Sequence, residues 1–220
     1  MRVNLHDFSG HPFQVELSRN LAARGHEVLH NYRAQYVTGH GLLQRQGGDA
    51  DTLRFAALST DCPMVKYSPI GRTRFELRYA RAWQRQFDHE PADVVVACNV
   101  PLFAMARMRS FFAARKQPWI FWHQDIYSLG IAGEAARKLP GPAAEYISRQ
   151  AQRLEVAQVN SADAVVAIGD SFLDQYREWG TRTDHVRVIP NWAPLDHLVP
   201  GSRENDWSRN QGLPTEPVRL

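Results

Sequence analysis

Cysteine is nearly absent. Cys62 and Cys98 are the two thiols of the chain, with no C-x-x-C pair and no histidine-rich cluster beside them. A disulfide framework or a structural zinc site needs more ligands at short spacing, so neither is expected, no metal is called for, and the usage suits a reducing cytosol. Long apolar runs are missing too. No stretch approaches the ~18–20 residues that span a bilayer, and the opening MRVNLHDF is broken by Asn4, His6 and Asp7, unlike the apolar core of a secretion signal. A strong charge of one sign is also lacking. The formal net charge is +3, which leaves nucleic acid without a whole-chain footprint and excludes it as an expected partner. No short-period repeat, low-complexity tract or G-x-G-x-x-G occurs, and the missing glycine fingerprint argues against a dinucleotide oxidoreductase.

What remains is an alternation of strand and helix signals. RVNLHD (Arg2 to Asp7) reads as an opening strand and FSGHP as a turn. Pro12 suits a first helical turn, Phe13, Leu17 and Leu21 recur at helical spacing, and Gly25 sits where a left-handed cap is wanted. HEVLH then supplies a second strand, so the first thirty residues read as a βαβ unit with a parallel pair. The glycine-bearing stretch VTGHGLLQRQGGDADT is expected to be a mobile loop. TRFELRYARAWQRQF regains an amphipathic helical period, with Phe75, Tyr79, Ala82 and Trp83 on one side.

ADVVVACNV is a continuous apolar run bounded by Pro101, as a strand buried on both faces requires. A helix from about Pro101 to Lys116 follows, and then a buried strand in PWIFWHQDIY, whose polar residues His123, Gln124 and Asp125 gather at its carboxyl end. GEAARKLPGP reads as a loop, residues 143–160 as a helix, and ADAVVAIG as another buried strand. Ser171 is the expected N-cap of a helix ending at Gly180, VRVIPNW is the last strand, and the polar tail over 200–210 reads as a linker. VRL at Val218 to Leu220 reads as the start of one more strand. The expected fold class is α/β, an open doubly wound parallel sheet of Rossmann-like type.

Four segments carry a resemblance: DFSGHPFQVELSRNLAARGHEV, FWHQDIY, ADAVVAIGDSFLDQY and VRVIPNWAPLDHL. In order and spacing they resemble family-4-type glycosyltransferases of the GT-B fold, of the kind found in bacterial polysaccharide biosynthesis, over most of residues 1–200; about Val37 to Thr73 is unmatched. The resemblance implies that residues 1–200 form an N-terminal, acceptor-side domain, and that 201–220 are a linker and the start of a C-terminal domain that holds the nucleotide sugar through paired glutamates. It implies a hexosyltransferase-type enzyme that retains anomeric configuration, inactive as this fragment alone, with a nucleotide sugar as substrate and no cofactor. A glycan or lipid-linked molecule would be the acceptor, and the location cytoplasmic, peripheral at the inner face of the plasma membrane. The family often places two adjacent glycines in its first turn, whereas Ser9, Gly10 and His11 stand here.

The chemistry these positions offer follows from their places on the sheet. A departing nucleotide develops negative charge, and helix N-termini stabilise such charge, so Gly10 and His11 are candidates for the donor phosphates; Gly10 equally permits a tight strand-to-helix turn. Ligands of open α/β sheets bind beyond the carboxyl ends of strands. His123 is therefore a catalytic candidate that by resemblance meets the donor sugar, or else a satisfied histidine at the sheet. Asp125 binds an acceptor hydroxyl or orients His123, or else caps a helix. Asn99 binds an acceptor hydroxyl or simply forms a turn. No carboxylate nucleophile stands out, so a front-face mechanism is expected in which the leaving phosphate takes the acceptor proton.

Arg72, Arg74, Arg78, Arg81 and Arg85 face a single acid, Glu76, in one short segment. Arg74, Arg78, Arg81 and Arg85 are candidates for an anionic membrane surface, where each basic residue contributes about 1 kcal/mol. The alternative is a solvated helix face whose arginine stems cover apolar neighbours. Two rival functions stand beside the transferase: a GT-B sugar-nucleotide epimerase, and a non-catalytic module that binds a glycan or partner.

Overall fold

Arg2–Asp7 form β1, and the turn after it leads into α1 (Pro12–Ala23), which opens on a proline whose missing N–H costs nothing in a first turn. Gly25, at φ +86°, lets the chain leave α1 and enter β2 (Glu27–Arg33), parallel to β1 with Val3 opposite Val28. The computed structural model describes residues 1–35, 40–64, 68–193 and 201–213. β3 (Leu53–Leu58) adds to β2, and α2 (Pro69–His89) starts at Ser68, whose hydroxyl accepts from the Gly71 amide at 3.1 Å. Then come β4 (Val94–Cys98), α3 (Leu102–Arg115), β5 (Trp119–His123), α4 (Tyr127–Lys138), α5 (Gly141–Ser161), β6 (Ala164–Ala167), α6 (Asp170–Glu178), β7 (Val186–Val188) and α7 (Asp206–Asn210).

Among the described residues these strands make one seven-stranded sheet in the order β3-β2-β1-β4-β5-β6-β7, with every pairing parallel. The doubly wound α/β class read from the sequence is the class observed. Val95, Ala97, Phe121 and Val165 pack on one face with Tyr79 and Trp83 of α2, Met108 and Phe112 of α3, Val159 of α5 and Tyr176 of α6. Val3, Leu5, Val28, Val96 and Trp122 turn to the opposite face, where Ala22, Phe13, Leu17 and Leu21 of α1 cover them. Removing each large apolar side chain from water stabilises the fold by roughly 1.5–3 kcal/mol.

The structure differs from the sequence reading in five places. β3 is a strand where none was expected, and GEAARKLPGP is not a loop, since α4 runs through Lys138. Ser171 does not cap α6, which begins at Asp170 after Gly169 without a side-chain bond. Asp206–Asn210, expected as linker, form a short helix under a capping box between Asn205 and Ser208. The glycine-bearing segment is irregular, yet its described part is fastened: Arg19 donates to the Leu42 and Gln44 carbonyls at 2.9 Å and to Asp49 at 2.8 Å. The strand expected at Val218–Leu220 lies outside the described residues.

Candidate functional site

The sheet reverses its winding between β1 and β4. From β1 the chain crosses to β2 on one side, and from β4 it crosses to β5 on the other, so the two connections part and open a crevice beyond the strand ends. Three short segments border it: Phe8–His11 after β1, Asn99–Pro101 after β4 and Gln124–Ile126 after β5.

The first segment is organised by Asp7, a wholly buried carboxylate. It accepts from the Ser9 amide at 3.0 Å and from the His11 amide at 2.5 Å. Gln14 turns its amide nitrogen to the same carboxylate at 2.5 and 2.8 Å while its oxygen accepts from Gln124 Nε2 at 2.8 Å; the opposite orientation would set a carbonyl against a carboxylate. Gly10 holds φ +73°, and a Cβ there would come within 2.8 Å of Leu43 Cδ1, while its carbonyl accepts from the Gly41 amide at 2.8 Å. Both the turn and the close approach of residues 40–43 therefore require glycine. The amides of Ser9 and His11 are spent on the chain's own Asp7, and Gly10 faces Leu43. The His11 ring stays partly exposed. The Asp7 carboxylate, 3.7 Å from its Nδ1, opposed by burial and supplemented by the charge of Asp125, holds its pKa above the ordinary histidine value, so a cation persists at the crevice to higher pH.

The second and third segments are tied to the first by side chains. Asn99 adopts φ +49°, a left-handed conformation that asparagine tolerates better than most residues. Its Nδ2 donates to Ser9 Oγ at 2.8 Å, and its Oδ1 accepts from the Tyr127 hydroxyl at 3.1 Å. Burial pushes the Tyr127 phenol up, so it remains a donor at neutral pH. Ser9, Asn99 and Tyr127 thus form one polar chain across the ends of β1 and β4 and the start of α4. Asn99 both makes the turn and presents this polar edge.

His123 is placed differently from a ligand-contacting histidine. Its side chain is 1% exposed, with Nδ1 2.7 Å from the Tyr176 hydroxyl and Nε2 3.1 Å from Glu155 Oε1. The ring lies between Phe121, stacked at 4.6 Å, and Phe172, edge-on at 5.3 Å. Nε2–H donates to Glu155 and Nδ1 accepts from Tyr176, whose phenol burial keeps protonated. With both nitrogens bonded within the chain, the ring in this arrangement serves to position, joining the end of β5 to α5 and α6. Glu155 also accepts from the Tyr127 amide at 2.8 Å and the Ser128 amide at 2.9 Å, capping α4. Burial alone would raise its pKa, but the bonds from His123 and Ser128 outweigh burial and hold it below the usual carboxylate range. With Glu155 as the cap, Asp125 is not one; it stands exposed at the crevice, where its charge raises His11 and Tyr127.

The family model described as a glycosyl transferase 4-like domain matches residues 11–192. The chain belongs to this family. No curated protein sequence matches it. Among solved structures, sucrose-phosphate synthase from Thermosynechococcus elongatus aligns with 97% of this chain and 53% of its own at TM-score 0.58 and 15% identity. HepE from Anabaena in complex with UDP-glucose aligns over 89% of this chain and 45% of its own, at TM-score 0.52 and 16% identity. Os79 from O. sativa in complex with UDP covers 96% and 56%, at TM-score 0.54 and 17% identity. The glycosyl transferase 4-like chain therefore spans about half the length of these proteins, and at such identities what it shares with them is the fold.

Several residues of the domain escaped the sequence reading. Asp7, Ser9, Gln14 and Tyr127 border the crevice, and Glu155 and Tyr176 lie beneath it. Trp192 is another: its indole donates to Glu16 at 2.6 Å and stacks on Trp122 at 5.7 Å, bringing the segment after β7 back across β5 to α1. The signal for Glu155 was legible as an acid among Ala151, Gln158 and Val159, all on the inner side of α5. Arg74, Arg81 and Arg85 are exposed on α2 and make no ion pair among the described residues, whereas Arg78 bonds Asp61 at 2.9 Å. Among the described residues no cluster of three or more His, Cys, Asp or Glu is disposed to hold a metal, and no helix is long and apolar enough to cross a membrane.

Proposed function

We propose that this chain is the acceptor-side half of a retaining, hexosyltransferase-type glycosyltransferase that draws on a nucleotide sugar and extends a glycan or lipid-linked acceptor in polysaccharide assembly. The observation that carries the proposal is the polar chain Ser9–Asn99–Tyr127, with His11 and Asp125 beside it, at the switch point of a sheet that belongs to the glycosyl transferase 4-like family. Such a crevice is where open α/β sheets receive ligands. That HepE was solved with UDP-glucose supports a nucleotide sugar as donor.

In this reading the second half of the enzyme, following a linker after about residue 200, supplies the opposite wall and most donor contacts. Asn99 and Asp125 orient an acceptor hydroxyl, and His11 places positive charge near the departing phosphates. The leaving phosphate takes the acceptor proton on the face where the new bond forms, so the protein contributes orientation and electrostatics. No cofactor enters this scheme. The arginines of α2 hold the enzyme at an anionic cytoplasmic surface, from which salt releases it.

The test uses the protein encoded by the full gene with a panel of nucleotide sugars and glycan or lipid-linked acceptors. The proposal expects acceptor-dependent release of nucleotide and a product whose anomeric configuration, read by NMR, equals that of the donor. Release of free sugar or an isomerised donor without acceptor would point to epimerase chemistry, and an inverted product would remove the front-face mechanism.

A further inference from the structure

The outer side of α2 carries two adjoining cavities of opposite character. One, of about 410 Å³, is lined by Ser59, Thr60, Asp61, Arg78, Arg81 and Arg85. The other, of about 590 Å³ and mostly apolar, runs along Pro69, Ile70, Thr73, Leu77 and the stem of Arg74, and shares Arg78 and Arg81 with the first. They are two ends of one groove. Ser59 to Asp61 follow directly on β3, so the cationic end opens at the carboxyl edge of the sheet, the edge that also bears the crevice.

The chemistry of the two ends differs sharply. Three guanidinium groups meet one carboxylate, Asp61, which Arg78 already engages; Arg81 and Arg85 have no acid partner among the described residues. Guanidinium donors beside the Ser59 hydroxyl match the oxygens of a phosphate, which accept several hydrogen bonds at once. At the other end Ile70 is 83% exposed and Leu77 38%, apolar side chains that α2 leaves in water although its inner face is filled by Phe75, Tyr79 and Trp83. Ile70, Leu77, Arg81 and Arg85 follow one another at helical spacing, and from Ile70 to Arg85 the helix rises about 22 Å. A free phosphate would leave the apolar end unused, and a neutral lipid would leave the arginines uncompensated.

We propose that this groove seats a single phosphorylated lipid, its phosphate over Arg81 and Arg85 and its hydrocarbon chain against Ile70 and Leu77. The inference deepens the lipid-linked acceptor reading and rests on it for the lipid's role, while its test measures binding alone and so fails or succeeds independently of transfer. Calorimetric titration of the whole chain with decyl phosphate, below the concentration at which it forms micelles, is compared with inorganic phosphate and with decanol. Decyl phosphate is expected to bind at least tenfold more tightly than either. Replacing Arg81→Ala together with Arg85→Ala lowers that affinity at least tenfold, and Ile70→Ser with Leu77→Asn reduces it to the level of inorganic phosphate; all four sites are exposed, and unchanged melting curves show that the variants fold. Vesicles of phosphatidylcholine carrying phosphatidic acid recruit the protein, and the arginine variant is not recruited. Inorganic phosphate binding as tightly as decyl phosphate would reduce the groove to an anion site. Equal binding of decanol, indifference to the arginine substitutions, or no binding of decyl phosphate would each overturn the proposal.

Discussion

Replacing His123 by phenylalanine separates a positioning role from a catalytic one. The new ring has nearly the same shape and keeps the stack on Phe121, but two hydrogen bonds vanish. Glu155 loses a donor while keeping the Tyr127 and Ser128 amides, and the Tyr176 hydroxyl is orphaned in a dry site. A hydrogen bond to a charged group contributes about 1.5–3 kcal/mol, and an unsatisfied buried hydroxyl costs about 1–3 kcal/mol. Together about 4 kcal/mol of stability should be lost, a large part of the ~5–15 kcal/mol typical of a domain. For a chain of this size that is a fall in Tm of about 8–16 °C. The same change weakens the pull that keeps Glu155 ionised. A carboxylate whose native pKa is lowered stabilises the fold fully above its unfolded value near 4.3 and ceases to do so as pH falls through the native value. In His123→Phe that acid transition should move to higher pH. The assay is thermal and urea unfolding from pH 3 to 8, with transfer by the proposed two-domain enzyme measured well below the new Tm. A variant as stable as the parent but devoid of transfer would refute the positioning role and return the imidazole to the chemistry.

Other consequences are open to direct measurement. Burial lowers His6 to about 3 and His30 to about 4, so between pH 6.5 and 5 the unfolded chain takes up protons that the native one refuses; stability should fall by about 2 kcal/mol per histidine between pH 7.5 and 5, read from urea midpoints, and a flat profile would contradict neutral burial. Gly10→Ala forces a side chain into a left-handed backbone and against Leu43, costing about 1–2 kcal/mol from the backbone alone; adding Leu43→Ala should relieve the clash but not that backbone cost. Glu76→Ala removes the carboxylate that holds Arg72 at 2.8 Å and accepts from the Phe103 amide at 2.9 Å at the start of α3, and should lower stability by about 2–4 kcal/mol in chemical denaturation. Arg81→Glu should weaken salt-sensitive binding to anionic vesicles by about 2 kcal/mol, roughly 30-fold in a sedimentation assay, without changing the melting temperature.

Much of the architecture was legible because the strands of a parallel sheet are buried on both sides and read as apolar runs. ADVVVACNV and ADAVVAIG announced themselves in this way, and the α2 stripe of Phe75, Tyr79 and Trp83 matched the face that is buried. β3 did not, because it is an edge strand in which only Leu53 and Leu58 are buried. α4 was missed for a related reason: it buries only Ser128 and Ala135, leaving its apolar period faint between Gly133 and Pro140. At the site, position was readable and partnership was not. His123, Asp125 and Asn99 do stand at strand ends, as their places after apolar runs implied. That Asp7 would occupy the turn amides, or that Glu155 from 32 residues away would take Nε2 of His123, depends on how helices dock, which no local pattern encodes.

The claim on which the functional account turns is that Asn99, held between Ser9 and Tyr127, forms a wall of the acceptor site. Asn99→Gly tests it, since glycine keeps the φ of +49° without strain and removes only the side chain. Losing the bonds to Ser9 and Tyr127 should cost about 1–3 kcal/mol of stability, a fall in Tm of about 2–12 °C, and losing contacts to an acceptor hydroxyl worth about 2 kcal/mol should lower kcat/KM about 30-fold for transfer by the proposed two-domain enzyme, assayed below the new Tm. Unaltered kcat/KM for every acceptor that the enzyme uses would place the reaction elsewhere.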